Sequence, residues 1–304
     1  MQHRLAASAL VLCLLVAPRG DAADAGTPTA TLDTARIEEL TGVKGQLDPK
    51  EGVFKVSMPR GDLDMRITGV HVTPPLGLTT WAAFTRVGDH AAVMGDLVLL
   101  EDQVNPVMTT ALDAGLEITA LHNHFLFDSP KVMFMHLAGM GSEADLARSV
   151  GKVFTKIRET SGGKGEVPRT DVDPARSTLD PKKIEAVTGV PGTLKDGVYK
   201  LVVGRTTKTD GHVMGSTMGV NTWAAFAGSD EEAVVDGDVA MLESELQPVL
   251  KALRGRGLQI AAIHNHMTKE EPRILFLHYW GVGSTTALAR AVRDALDLTH
   301  GTTP

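Results

Sequence analysis

The chain has 304 residues, 43% of them hydrophobic and 22% charged, with a net charge of −7 and only 4% aromatic residues. That composition supplies enough apolar surface for two ordinary domains and excludes wholesale disorder. With no Lys/Arg cluster and few stacking platforms, it also excludes a nucleic-acid binder.

Taken in chain order, the first feature is a short basic start followed by an apolar run from Leu5 to Val16. Pro18, Arg19 and Gly20 break the run, and Ala23 and Ala25 offer the small residues that a signal peptidase reads. Residues 1–25 are therefore expected to be a signal peptide, and the protein to be exported to the periplasm or beyond. No later run approaches ~18 apolar residues, so no transmembrane segment is expected in the mature chain. Cys13 follows Leu10-Val11-Leu12, which lacks the small residues of a lipobox, so lipid anchoring through it is not expected. Loss of the signal removes the single cysteine, and with it any disulfide or thiolate ligand.

Asp33 or Thr34 can cap a short helix through Leu40 that stops at Gly42. Val53 to Met58 alternates apolar and polar residues as a half-buried strand does, and Trp81–Phe84 and Ala92–Leu100 read as further strands. A helix is expected from Asn105 or Pro106 to Ala114, stopped by Gly115. Two apolar strands, Ile118–Phe125 and Val132–Leu137, precede a closing helix from Glu143 to Ile157.

The same series then repeats. Thr80-Trp81-Ala82-Ala83-Phe84 recurs as Thr222-Trp223-Ala224-Ala225-Phe226, and at that offset of 142 residues 25 of 62 aligned positions are identical. Upstream, Leu32-Asp33 and Thr41-Gly42-Val43 recur as Leu179-Asp180 and Thr188-Gly189-Val190. The expected organisation is module 1 over 31–160, a Gly/Pro-rich linker over 161–177 and module 2 over 178–300. Helices and strands are mixed without strict βαβ alternation. The fold class is therefore α+β: two tandem copies of one module, each an antiparallel or mixed sheet with flanking helices.

Six histidines fall in two matched triplets, His122, His124, His136 and His264, His266, His278. Residues i and i+2 of a strand share a face, so His122 and His124 would project side by side with Asn123 turned away. Asp128-Ser129-Pro130, and Glu270-Glu271-Pro272 in the second copy, are turn sequences. A strand returning from that turn brings His136 opposite the pair, so each triplet is expected on one face of a β-hairpin. Three neutral imidazoles at ~2.0–2.1 Å from one point hold a divalent metal and leave a position open for another ligand. Zn(II) is the first expectation, and Fe(II), Mn(II), Ni(II) and Cu(II) are also compatible with a sulfur-free site. Because the ligands must be neutral, binding should weaken as pH falls through ~6.5. The plain alternative is a set of core histidines satisfied by hydrogen bonds.

Glu101 and Glu243, each 21 residues before the first histidine of its triplet, are the candidate catalytic bases or fourth ligands. A glutamate there also serves simply as the start of a helix. Asp96 and Asp238 follow glycines and are expected in turns, with a site role as the alternative; Trp81 and Trp223 are expected in the core, with pocket lining as the alternative; and Met133 and Met135 are expected in packing, since they become Leu275 and Leu277.

The strings GDLVLLEDQVNPV, ITALHNHFLFDSPKVMFMH and IAAIHNHMTKEEPRILFLHYWG resemble the LppY/LpqO family of exported bacterial proteins, a domain of unknown function. The resemblance covers nearly the whole mature chain and implies export and duplication, but no established activity. More distantly, the H-x-H motif followed by a third histidine resembles the metal motif of acetolactate decarboxylases and Ptd012-like zinc ester hydrolases. That likeness implies metal ligation by His122, His124 and His136, and by His264, His266 and His278. The expected function is a zinc-dependent hydrolase or decarboxylase-type lyase acting on a small molecule; the competing expectation is a non-catalytic metal or ligand module of the cell envelope.

Overall fold

The computed structural model describes residues 31–165 and 167–299; the expected signal segment with Cys13, and His300, lie outside the described residues. Module 1 runs α1 (Thr34–Thr41), β1 (Gly45–Asp48), β2 (Val53–Pro59), β3 (Arg66–Ile67), β4 (Val70–His71), β5 (Thr79–Val87), β6 (His90–Leu100), α2 (Glu101–Asp113), β7 (Glu117–His122), β8 (Asp128–Ser129), β9 (Val132–Gly141) and α3 (Glu143–Glu159). Module 2 runs α4 (Pro181–Thr188), β10 (Gly192–Lys195), β11 (Val198–Gly204), β12 (Thr207–Thr209), β13 (His212–Met214), β14 (Asn221–Gly228), β15 (Ala233–Leu242), α5 (Leu246–Gly255), β16 (Gln259–His264), β17 (Glu270–Glu271), β18 (Ile274–Gly283) and α6 (Thr285–Leu298). The class is α+β, as the mixed pattern predicts.

The two copies share one 12-stranded sheet, ordered β1-β2-β5-β6-β9-β7-β16-β18-β15-β14-β11-β10. Every strand pair in it is antiparallel, and the seam is β7 against β16, with Leu121 opposite Ile263. Period-2 alternation decides the two faces. Val93, Leu97, Leu99, Met135 and Leu137 join residues such as Val107, Val150 and Phe154 of α2 and α3 in one core, which continues through Leu121 and Ile263 into module 2. The opposite face carries Asp96, Val98, Phe134 and His136. Its ends are covered by two small sheets, β4-β3-β8 and β13-β12-β17. The strip between those small sheets is open.

The helix caps follow the sequence closely. Asp33 accepts from the Arg36 N–H at 3.0 Å, and Gly42 closes α1 in the left-handed region at φ 68°. The helix expected from Asn105 or Pro106 instead begins at Glu101, with Pro106 inside it. In the second copy the same segment starts as a 3-10 turn, Glu243–Glu245, and becomes α-helical at Leu246, which places Pro248 in the first turn. A proline lacks only a donor that a first turn leaves unpaired, so the second copy relieves what the first tolerates. Within 161–177, the Gly165 N–H donates to Asp102 at 3.0 Å and the Ser177 hydroxyl to the Gly228 carbonyl at 3.1 Å, so this stretch lies against the body.

Two side-chain amides hold the seam. β7 is bulged between Ile118 and Ala120, and β16 between Ile260 and Ala262, which leaves backbone groups without ladder partners. Asn105 accepts from the Ile260 N–H at 2.8 Å and donates to the Ile260 carbonyl at 3.2 Å. Gln247 does the same for Ile118, at 3.0 and 2.8 Å. Each amide thus reaches into the other module and completes its bulged strand. Asn105→Ala is expected to cost about 1–3 kcal/mol by stranding a buried donor and acceptor. The combined Asn105→Ala/Gln247→Ala variant should cost more than either alone, read as a lowered midpoint in urea unfolding.

Candidate metal centres

The histidines of each copy lie on a strand pair and the loop that joins it. His122 and His264 are the last residues of β7 and β16. His136 and His278 lie within the neighbouring strands β9 and β18. His124 and His266 fall two residues past the strand ends, so loop packing positions them rather than strand alternation. His266 stacks on Phe276, with ring centroids 3.4 Å apart and planes 10° apart. His124 stacks on Phe125 at 4.7 Å and meets Phe134 edge-on at 4.3 Å.

The fourth group at each centre is an aspartate. Asp96 and Asp238 lie mid-strand, directly opposite His136 and His278 in register, and not in turns. The preceding glycine is there for packing. A Cβ on Gly237 would overlap the Tyr279 hydroxyl and come within 2.7 Å of the Trp223 carbonyl. A Cβ on Gly95 would press on Leu137 at 3.0 Å. The hint available in the sequence was the recurrence of Gly-Asp at the same offset in both copies, within the expected strand Ala92–Leu100 in the first.

In the second centre, one ligand atom each from Asp238, His264 and His266 lies within 4.8 Å of the others. His266 Nε2 is 3.5 Å and His278 Nε2 4.0 Å from Asp238 Oδ2. Asp238 is 2% exposed, and its other oxygen accepts from the Leu277 N–H at 3.0 Å, which pins the carboxylate in place. His266 Nδ1 sits 3.2 Å from the Gly219 carbonyl. A proton on that nitrogen leaves Nε2 as the free lone pair, so the Gly219 carbonyl orients the ring for ligation. His264 Nε2 is shielded from solvent and makes no hydrogen bond among the described residues. Burial pushes the His264 imidazole below its ordinary range, against the pull of Asp238, which favours the neutral form that a metal requires.

In the first copy the donors are gathered less closely: among the described residues, the group that meets within 4.8 Å is that of Asp238, His264 and His266. His122 Nε2 and His136 Nε2 are 3.0 Å apart. Two nitrogens bound to one ion at ~2.0–2.1 Å are separated by about 3.0–3.4 Å, so this spacing suits ligands of a single metal. His122 Nδ1 meets the Asn123 carbonyl at 2.9 Å, again leaving Nε2 for ligation. Asp96 Oδ1 is buried with no hydrogen-bond partner among the described residues. Burial pushes its carboxyl upward, opposed by His136, His122, His124 and Lys55. All three histidines of the triplet therefore act electrostatically on this one carboxylate.

Trp81 and Trp223 are not core residues. They pair in register with Asp96 and Asp238 on the open face, and the Lys55 and Lys200 ammonium groups sit 4.1 and 4.2 Å from their ring centroids. Met133 lies against the helix-side core and Met135 within it, as packing residues do.

Glu101 and Glu243 occupy other ground. Each follows the last residue of its strand, five residues beyond the aspartate, which is roughly 17 Å along an extended chain. Glu243 lines an 870 Å³ cleft with Glu117, Gln247 and Arg273, next to the helix-side residue Leu275. Glu101 lines the corresponding cleft of 350 Å³, where Val167 and Pro168 from the 161–177 stretch also sit.

A family model matches residues 35–156 and again 182–298, one match to each module. The chain belongs to the family described as Domain of Unknown Function (DUF1259). The two DUF1259 segments contain all six histidines and both aspartates. No curated protein matches the chain. Among the described residues, no helix is long and apolar enough to cross a membrane.

The Tyr279 hydroxyl of the second DUF1259 domain is buried over Gly237 without a hydrogen-bond partner among the described residues, and burial pushes its ionisation far upward. The first domain has Leu137 there. Tyr279→Phe is expected to be neutral or to raise stability by about 1 kcal/mol, because it removes an unpaired polar group and keeps the ring. Gly237→Ala is expected to cost about 1–3 kcal/mol by overpacking. Thermal melts check both: Gly237→Ala should fall below the parent protein and Tyr279→Phe should not.

Proposed function

We propose that this protein binds two divalent metal ions, zinc foremost, each held by three histidines on a β-hairpin and one aspartate. The ligand sets are His122, His124, His136 with Asp96, and His264, His266, His278 with Asp238. The observation that carries this reading is the convergence of Asp238, His264 and His266 within 4.8 Å, with the same residue types repeated in the first copy. The donors are all nitrogen and carboxylate oxygen, which suits Zn(II) and is compatible with Fe(II), Mn(II), Ni(II) or Cu(II).

The activity we propose is hydrolysis of an ester-like bond or a decarboxylase-type cleavage of a small molecule by an exported enzyme. A bound divalent ion supplies Lewis acidity at such a centre. Lys55 and Lys200 favour anionic groups arriving on the open face. Glu101 and Glu243, on the helix side, are proposed to act on a ligand only from their own clefts. The N-terminal pattern and the LppY/LpqO resemblance support export, and the H-x-H resemblance supports metal chemistry.

Elemental analysis of protein purified without a histidine tag is expected to find about two metals per chain, with turnover on a generic ester that stops on chelation. Full activity in metal-stripped protein rejects the catalytic part. A non-catalytic binding module is the second reading, favoured by the open setting of the centres, where His266 and His278 side chains are 35% and 41% exposed. It predicts stoichiometric metal with no turnover.

A further inference from the structure

The two centres share a floor. In module 1, Trp81 pairs with Asp96, Asp96 with His136, and His136 with Ala120. In module 2, Trp223 pairs with Asp238, Asp238 with His278, and His278 with Ala262. Leu121 opposite Ile263 joins the modules. Continuing that antiparallel register by one residue each way sets Ala120 against His264 and His122 against Ala262.

Cross-strand partners point to the same face, so two adjacent rows run unbroken across the seam. One reads Trp81, Asp96, His136, Ala120, His264, Phe276; the other reads Trp223, Asp238, His278, Ala262, His122, Phe134. The rows run in opposite directions. The inner histidines of the two centres stand on adjacent strands, and the outer ones, His136 and His278, are three strand spacings apart, roughly 14 Å. Between His136 and His278 these rows carry the methyl groups of Ala120 and Ala262 beside the inner histidines themselves.

We propose that the two centres act as one site for an elongated ligand with an anionic group at each end and an apolar middle. This rests on the metal reading above. Each centre would combine a divalent ion with one aspartate, leaving net positive charge, and Lys55 and Lys200 lie over the tryptophans just beyond. Each end thus favours a carboxylate or phosphate group, while the alanine floor favours hydrocarbon. Ligand held at one centre meets the second at high effective concentration, so a chain of matching length binds more tightly than either end alone.

The test is calorimetric titration of zinc-loaded protein, its metal content measured first, with straight-chain dicarboxylates of increasing length and the corresponding monocarboxylates. One dicarboxylate per chain is expected, with an optimum length at which affinity exceeds that of the monocarboxylate by about 100-fold. His278→Ala should reduce that affinity to the monocarboxylate level. Ala120→Phe/Ala262→Phe should retain both metals and lose the optimum. Two ligands per chain at every length, or an optimum that survives the phenylalanines, overturns the shared site while leaving the metal centres standing. Protein that takes up no zinc overturns the metal reading instead, before any ligand is added.

Discussion

Exchange of His266 for alanine is expected to lower zinc affinity at the second centre by more than 100-fold and to reduce the bound metal from two ions per chain to one. Losing an outer-shell partner of a metal ligand already costs ~10–100-fold, and a ligand itself costs more. His266 is well placed for this test because it lies beyond the end of β16 with its side chain 35% exposed, so the sheet ladder does not depend on it. Its loss forfeits the Phe276 stack and the contact with Gly219, both local. The first centre has its own donors and should keep its ion; His124→Ala combined with His266→Ala should leave none. Elemental analysis after dialysis, with competition titration against a chelator, reads both. Unchanged stoichiometry in the double variant would remove the histidines from the metal account.

Glu245→Ala is expected to be the most damaging single change to stability, at about 3–5 kcal/mol, a drop of roughly 10 °C in Tm for a chain of this size. Glu245 and Arg205 are both nearly enclosed, with side chains 6% and 7% exposed, and meet at 2.7 Å. Arg205 also donates to the Ala240 carbonyl at 3.0 Å, and Glu245 accepts from the Leu242 N–H at 2.7 Å. The pair therefore ties β11 to the junction of β15 and α5. Alanine removes the carboxylate and leaves the guanidinium charge in a poorly solvated position, which is costlier than never having had the pair. The first module solves the same problem with Arg60, Gln103 and Asp62, the Arg60 Nη2 reaching Gln103 at 3.1 Å and the Arg60 Nε reaching Asp62 at 2.8 Å. Glu245→Gln should accordingly lose less than alanine, since the amide retains acceptor positions for Leu242 and Arg205. Urea unfolding of the two variants orders them; equal losses would show that the charge alone matters.

Local structure was the most legible part of the sequence. The Asp33 cap, the Gly42 stop and the alternation of Val53–Met58 are short-range signals, and α1 and β2 form where they predict. The α2 start was less visible, because a proline read as a first-turn residue sits inside the helix. The two small sheets escaped because strands as short as Arg66–Ile67 and Thr207–Thr209 carry too few residues to show a period. The joining of both modules into one sheet was not visible either: Leu121 and Ile263 read as ordinary buried strand positions, and pairing between distant strands leaves no local pattern. At the centres, the duplicated histidines could be found by spacing. Asp96 and Asp238 read as turn residues because each follows a glycine, although the expected strand Ala92–Leu100 already runs through Asp96. Their Gly-Asp dipeptides answer to packing against Leu137 and Tyr279.

The β7–β16 seam has a consequence for how the molecule can change. A homodimer of a single module, assembled through that same pairing, would carry every substitution twice, once in each subunit. Encoding both halves in one polypeptide releases them from that rule. Asn105 can stand where its counterpart is Gln247, Gln103 where its counterpart is Glu245, and Val167-Pro168 can enter one cleft while the other stays wider. A gene arranged this way is free to tune one half for affinity while the other keeps the fold.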